Sequence, residues 1–172
     1  MTSATTQRGF TLLEMMTAIA IVGIVLGLAV PALNRFVEAS NISAGARGFI
    51  VDFQLARSEA ALRARRVTVC TSTDMASCAN GSWDDGRLVF IDAGAIGTVD
   101  AGDEILSQTE PLNDAVTTAS TGIAAANFIS YAQNGMLTGP GTISLCVTGQ
   151  DQRIVNIFRS GSASLDRTAT VC

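Results

Sequence analysis

From Met15 to Asn34 the chain carries no charged side chain, and apolar residues fill most of the stretch. A run of about 20 apolar residues is long enough to cross a bilayer as a helix. Beyond it the pattern changes without stopping. Leu33, Phe36, Val37, Ile42, Phe49, Ile50, Phe53, Leu55, Ala56, Ala60 and Leu62 recur at spacings near three and four, and Arg35, Glu38, Asn41, Arg47, Asp52, Arg57 and Glu59 fill much of the other face. This period predicts one long helix from Thr11 to Ala64, apolar all round in its first half and amphipathic in its second. The second half should pack on a globular domain. Pro31, which has no N–H for the helical ladder, predicts a bend or loosening at its position. The basic cluster Arg63-Ala64-Arg65-Arg66 suits a helix C-terminus, where cations meet the negative end of the dipole.

From Val67 onward the chain turns to short β-branched segments separated by Gly, Asp, Asn and Ser. Candidate strands are Val67–Thr71, Leu88–Asp92, Glu104–Thr109, Ala115–Ala119, Asn127–Tyr131, Thr142–Val147, Arg153–Phe158 and Ala169–Val171. Gly81, Gly86, Gly94, Gly135 and Gly141 punctuate the loops, with Gly86 and Gly135 expected at positive φ. Eight short strands after one helix predict an α+β fold, with antiparallel sheets resting on the amphipathic helix. Trp83 reads as a loop or core anchor.

At 172 residues the chain holds one modest globular domain plus a long N-terminal helix. Its formal charge is −4, its 11 basic residues are all Arg, and it has no His. That balance disfavours a protein that coats nucleic acid through bulk charge. The four cysteines, Cys70, Cys78, Cys146 and Cys172, all follow the apolar run, and an even number in a translocated domain suggests two disulfides. Three connectivities are open. Cys70–Cys78, closing a short loop, and Cys146–Cys172, pinning the C-terminus to a strand, are favoured. No Cys-x-x-Cys spacing and no His point to a metal site, so none is expected. Asp92, Asp100, Asp103 and Glu104 around Gly94, Gly97 and Gly102 could offer oxygens to calcium, but their spacing is not that of an EF-hand and a solvated loop explains them. The usual nucleophile–base pairs are absent, so neither an enzyme nor a cofactor is expected. Gly23-x-x-x-Gly27 allows close helix packing or local loosening.

One residue does not fit an ordinary membrane segment. Glu14 is a lone carboxylate at the head of the apolar run, where a charge needs a partner or a purpose. The segment Arg8-Gly9-Phe10-Thr11-Leu12-Leu13-Glu14-Met15-Met16-Thr17 resembles the class III signal of type IV pilins and type II secretion pseudopilins. The resemblance implies a leader, residues 1–9, cut between Gly9 and Phe10 by the prepilin peptidase, with methylation of the new Phe10 amine. It implies that Glu14 pairs with the Phe10 ammonium of a neighbouring subunit during assembly. Residues 10–33 would then be the membrane-spanning and filament-core half of the helix, 34–66 its amphipathic half, and 67–172 a β-rich head.

A second resemblance lies in the head. Trp83-Asp84-Asp85-Gly86-Arg87-Leu88-Val89-Phe90-Ile91-Asp92 is similar to the W-x-x-G-x-x-V-F-x-D segment of the GspH/FimT group, Asp103-Glu104-Ile105-Leu106 to the acidic turn and strand after it, and Tyr131-Ala132-Gln133-Asn134-Gly135 to a later F-x-x-x-G element. The upstream and C-terminal cysteines resemble those of FimU/FimT-type minor pilins. Together these imply a structural minor pilin that helps prime pilus assembly at the tip beside other minor pilins and the major pilin. It would be held by a single pass in the inner membrane, with a periplasmic head, and then carried to the cell surface. A type II secretion pseudopilin of the GspH kind is the alternative. A further alternative is a DNA-binding competence pilin, with Arg153, Arg159 and Arg167 as candidate contacts. Against DNA, Ser162 and Ser164 replace both arginines of the G-R-x-R element such pilins carry.

Overall fold

The computed structural model describes residues 10–172, so the expected leader, with Gly9, lies outside the described residues. One helix, α1 (Leu12–Arg63), is followed by eight strands. These are β1 (Val67–Ser72), β2 (Gly86–Ile91), β3 (Glu104–Thr109), β4 (Thr117–Gly122), β5 (Phe128–Tyr131), β6 (Gly141–Cys146), β7 (Asp151–Ile157) and β8 (Ala163–Val171), with a 3₁₀ turn at Ile123–Ala126. The chain divides into two compact units between Val37 and Glu38. α1 continues through Pro31 without a break.

Residues of α1 at spacings of four and three make its inner face: Ile42, Ala46, Phe49, Phe53, Ala56 and Ala60 are fully buried. They share one core with both sheets. The first sheet has the order β3-β2-β1-β5 and the second β4-β6-β7-β8, and every pairing is antiparallel. Val67, Val69, Val89, Ile91, Ile129 and Tyr131 of the first sheet, and Ile143, Leu145, Val155 and Ile157 of the second, complete this core. Alternation puts Cys70, Leu88 and Phe90 on the opposite face of the first sheet. There they form a smaller cluster with Cys78, Val99 and Phe128, so β1 and β2 are buried on both faces. Trp83 is the core anchor between loop and helix. Its ring meets Phe49 and Phe53 edge-on at centroid distances of 6.0 and 6.3 Å, and its indole N–H donates to the Ala124 carbonyl over 2.7 Å.

Asp52 does not sit on the solvent face of α1; it is buried against Arg87 of β2, whose Nε–H donates to an Asp52 carboxylate oxygen over 2.8 Å. Thr109 of β3 donates its hydroxyl to the same carboxylate, and the Arg87 guanidinium lies 3.9 Å from the centroid of the Phe49 ring. Burial pushes the Arg87 pKa down, and Asp52 opposes that shift by charge and hydrogen bonding. Leu62, counted on the apolar face, is 80% exposed, because the inner face of the last turn ends at Ala60. Gly86 does not have positive φ. Its missing Cβ matters for space: one would collide with the Met75 side chain and lie 2.8 Å from the Ser72 carbonyl oxygen. Gly135 does have positive φ, 70°. β8 begins at Ala163 rather than Ala169, since it forms by pairing with β7 and not through its own weak, charged pattern.

α1 ends one residue before the expected Ala64, which takes the left-handed conformation, φ 50°. The Arg65 N–H bonds back to the Ala60 carbonyl over 3.3 Å, the long reach of a Schellman cap. Glycine is the usual residue at such a position, and a left-handed non-glycine residue costs roughly 1–2 kcal/mol. Ala64→Gly should therefore stabilise the head by about 1 kcal/mol. Denaturation of the full chain in detergent, followed by Trp83 fluorescence, reads this directly, and a loss of stability would refute the cap. By the same readout Arg87→Met should cost about 3–5 kcal/mol, because it leaves Asp52 buried without its counter-charge. The double variant Asp52→Leu/Arg87→Met should recover much of that loss, and an additive double variant would contradict the pairing.

Candidate functional site: an apolar helix headed by one carboxylate

The first unit offers chemistry that the head does not. From Phe10 to Val30 and from Leu33 to Val37 every residue is exposed. Sixteen large apolar side chains are among them, beginning with Phe10 at 78%. Burying a side chain of this size is worth roughly 1.5–3 kcal/mol. The set therefore represents tens of kcal/mol of burial that only a surrounding apolar phase or other chains can supply. This part of α1 is long and apolar enough to cross a membrane. Around both Gly23 and Gly27 a Cβ would meet nothing within 4 Å, so neither glycine is required by contacts among the described residues.

Glu14 stands in the first turn of α1. Thr11 is the N-cap: its hydroxyl oxygen accepts the Glu14 backbone N–H over 3.2 Å. Thr-x-x-Glu is the capping-box pattern. Here only the threonine half of the box is formed, and the Glu14 carboxylate accepts no hydrogen bond from a described residue. An acid at this place also complements the positive end of the helix dipole. The carboxylate is thus exposed, held on a capped helix end, and available to a cation from outside the described residues.

In the head, the structure joins Cys70 to Cys78 and Cys146 to Cys172. The first bond ties the loop after β1 to the outer cluster, and the second fastens Cys172, just past β8, to β6 across the intervening β7. Within the first loop, the Ser77 hydroxyl, then the backbone N–H groups of Ala76 and Ser77, hold the Asp74 carboxyl well below the usual carboxylate range.

The three candidate DNA contacts do not form one free cationic patch. Arg153 and Arg167 are register partners on β7 and β8. Arg167 is paired with the Asp151 carboxylate, and Arg153 donates to the Asp151 carbonyl over 3.1 Å. Arg159 lies past the end of β7, where it donates to the Thr138 carbonyl over 3.0 Å. The acidic loop is likewise engaged. Asp92 accepts from Arg66, Thr68 and the Gly97 N–H, Asp100 from the Ala95 N–H, and Asp103 from the Ala93 and Asp100 N–H groups. Among the described residues no cluster of acidic or sulfur side chains is arranged to hold a metal ion. Arg63 of the basic cluster pairs with Glu59 and Glu104, which raise its pKa. The buried Asp52–Arg87 pair is the feature that residue pattern alone did not disclose. Its one signal was an arginine inside an otherwise apolar strand.

A long N-terminal helix with an apolar first half, joined to two antiparallel sheets, is the architecture of pilin-like proteins. Residues 5–30 match the prokaryotic N-terminal methylation motif, and residues 45–161, more than half of the chain, match the family described as type II transport protein GspH. The chain belongs to the GspH family. Its fold is shared with the type IV minor pilin FimU of Pseudomonas aeruginosa, at 20% identity and a TM-score of 0.61 over 80% of this chain and 99% of that one. It is shared also with the minor pseudopilin EpsH from the type 2 secretion system of Vibrio cholerae, at 17% identity and a TM-score of 0.54 over 76% and 99%. A type IV major fimbrial protein FimA of Dichelobacter nodosus is 27% identical over 92% of this chain and 88% of its own length. The fimbrial protein EcpC of Eikenella corrodens is 40% identical over 53 residues, 27% of this chain, and the match spans about a third of EcpC, 35%.

Removing the second disulfide tests how far the head depends on it. Cys172→Ser opens a bridge with a sequence separation of 26. Chain-entropy reasoning puts the loss at about 3.5 kcal/mol. Denaturation under non-reducing conditions should show a loss of that order, whereas an unchanged midpoint would mean that β8 is held by its ladder alone.

Proposed function

We propose that this chain is a minor type IV pilin. It is made as a prepilin with residues 1–9 as leader, cut between Gly9 and Phe10 by the prepilin peptidase, and methylated on the Phe10 amine. Residues 10–33 hold it in the inner membrane, residues 34–66 carry the head of residues 67–172 on the periplasmic side, and the subunit then joins other minor pilins and the major pilin in a pilus. The role is structural rather than catalytic. One observation carries this reading: within a methylation motif, thirteen exposed large apolar side chains are headed by a single exposed carboxylate. A filament supplies both the apolar surroundings and the cation. Glu14 pairs with the Phe10 ammonium of a neighbouring subunit, and removing either partner of such a buried pair strands the other.

The pseudopilin reading is the second one, favoured by the GspH family match and by the EpsH fold. The minor-pilin reading draws on the FimA relative, matched along 92% of this chain, and on the two disulfides of the head. DNA capture is not favoured, since Asp151 engages Arg167 and also holds Arg153 through its carbonyl.

Glu14→Ala should leave leader cleavage intact and lower incorporation into sheared pili by at least about tenfold, because losing a buried counter-charge costs several kcal/mol and 1.4 kcal/mol is already tenfold. Immunoblots of the membrane and sheared-filament fractions separate the two steps. A Glu14→Ala subunit in pili at the normal level would overturn the pairing. A normal subunit found only with the secretion apparatus would select the pseudopilin reading.

A further inference from the structure

We propose that the free edge of β5 is a strand-addition site for an extended, uncharged polypeptide segment. β5 is the outer strand of the first sheet and pairs with β1 alone. The phase of that ladder is fixed by the Thr71 N–H, which donates to the Asn127 carbonyl over 3.0 Å. Thr71 and Asn127 continue the β1–β5 register, in which Val69 faces Ile129 and Val67 faces Tyr131. These are therefore the bonded pairs, and by the antiparallel alternation Phe128 and Ser130 turn their N–H and C=O groups away from β1. No described residue takes up these four groups.

The same two residues line a cleft of about 410 Å³, together with Arg66, Ile96, Ile123 and Thr138. The lining is mostly apolar, and its one charged member, Arg66, is already paired with Asp92 over 2.7 Å. Ile96 on its rim is 57% exposed. Edge strands are commonly blunted by shortness, charge, proline or a bulge. β3 carries Glu104 and opposes a register shift, and β8 carries Asp166 and Arg167. β4 and the four-residue β5 both lack charge, proline and bulge; what sets β5 apart is the apolar cleft that Phe128 and Ser130 line. Unpaired main-chain groups at regular spacing beside an apolar, charge-neutral cleft select an occupant with its own extended backbone and uncharged side chains at alternate positions. A compact apolar ligand would fill the cleft and leave the edge unpaired. The inference concerns the head alone and does not depend on which filament the chain joins.

The test uses the full chain in lipid nanodiscs, with empty nanodiscs as blank, and a set of end-blocked heptapeptides in which threonine alternates with valine, isoleucine or phenylalanine. At least one peptide should bind saturably and slow amide hydrogen exchange at Phe128 and Ser130 by about tenfold or more. Its counterpart with alternate backbone nitrogens methylated should bind at least about tenfold more weakly, as expected for losing one or more main-chain hydrogen bonds. Ser130→Pro removes an outward N–H while sparing the ladder to β1, and should weaken binding similarly. Ile96→Lys, at an exposed rim position, should weaken it without unfolding the chain. If Ser130→Pro does not fold, the methylated peptide decides. Failure of every peptide to protect those amides would overturn the proposal, and so would equal binding of the methylated and unmethylated forms.

Discussion

The organisation of this chain depends on one constraint: the apolar first half of α1 cannot remain in water. Its side chains are exposed on every side from Phe10 to Val30. An amphipathic helix resolves its apolar stripe against its own domain. A helix that is apolar all round has no such solution and must enter a bilayer or the company of other chains. Glu14 belongs to the same constraint. In either apolar setting an unpaired carboxylate is costly, so Glu14 needs a counter-charge beside it.

The second half of α1 shows how closely one helix can be fitted to two sheets. Ala46, Ala56 and Ala60 are fully buried there, and Gly45 and Gly48 lie on the same stretch. A Cβ on Gly45 would come within 3.0 Å of Leu112, and one on Gly48 within 3.2 Å of an Arg87 nitrogen. Small residues let the backbone approach, and the Asp52–Arg87 pair then ties helix to strand at a definite register. Buried pairs of this kind contribute little net stability against an apolar replacement. Their effect is on specificity, because a helix that slid along the sheet would leave both charges unpaired. On the far face of the first sheet, the Cys70–Cys78 bond and the hydrogen-bonded acidic loop cover the smaller cluster, which explains why two central strands are buried on both faces.

The helix and the succession of eight strands were legible because their signals are periodic and long, or bounded by glycine and acidic turns. What was not legible depends on partners remote in sequence. Asp52 and Glu59 look alike on the helical period, yet only Asp52 meets an arginine from a buried strand. The start of β8 depends on β7, since Ala163 to Arg167 has no strand pattern of its own. Residue type alone suggests a turn at Gly86, whereas the close approach of Met75 and Ser72 is what requires a glycine there. In the candidate site, Glu14 stood out because a charge in an apolar run is visible without any structure. The engagement of Arg167 by Asp151 could not be seen, because the two residues meet only across a strand pair.

On the proposed reading, the apolar half of α1 is a processed, filament-forming end. The direct check is intact-mass and N-terminal peptide mass spectrometry on the protein recovered from sheared filaments. The expected chain begins at Phe10, carries one methyl group on its amine, and has both disulfides closed. A filament-borne chain that retains the leader up to Gly9 would contradict that reading.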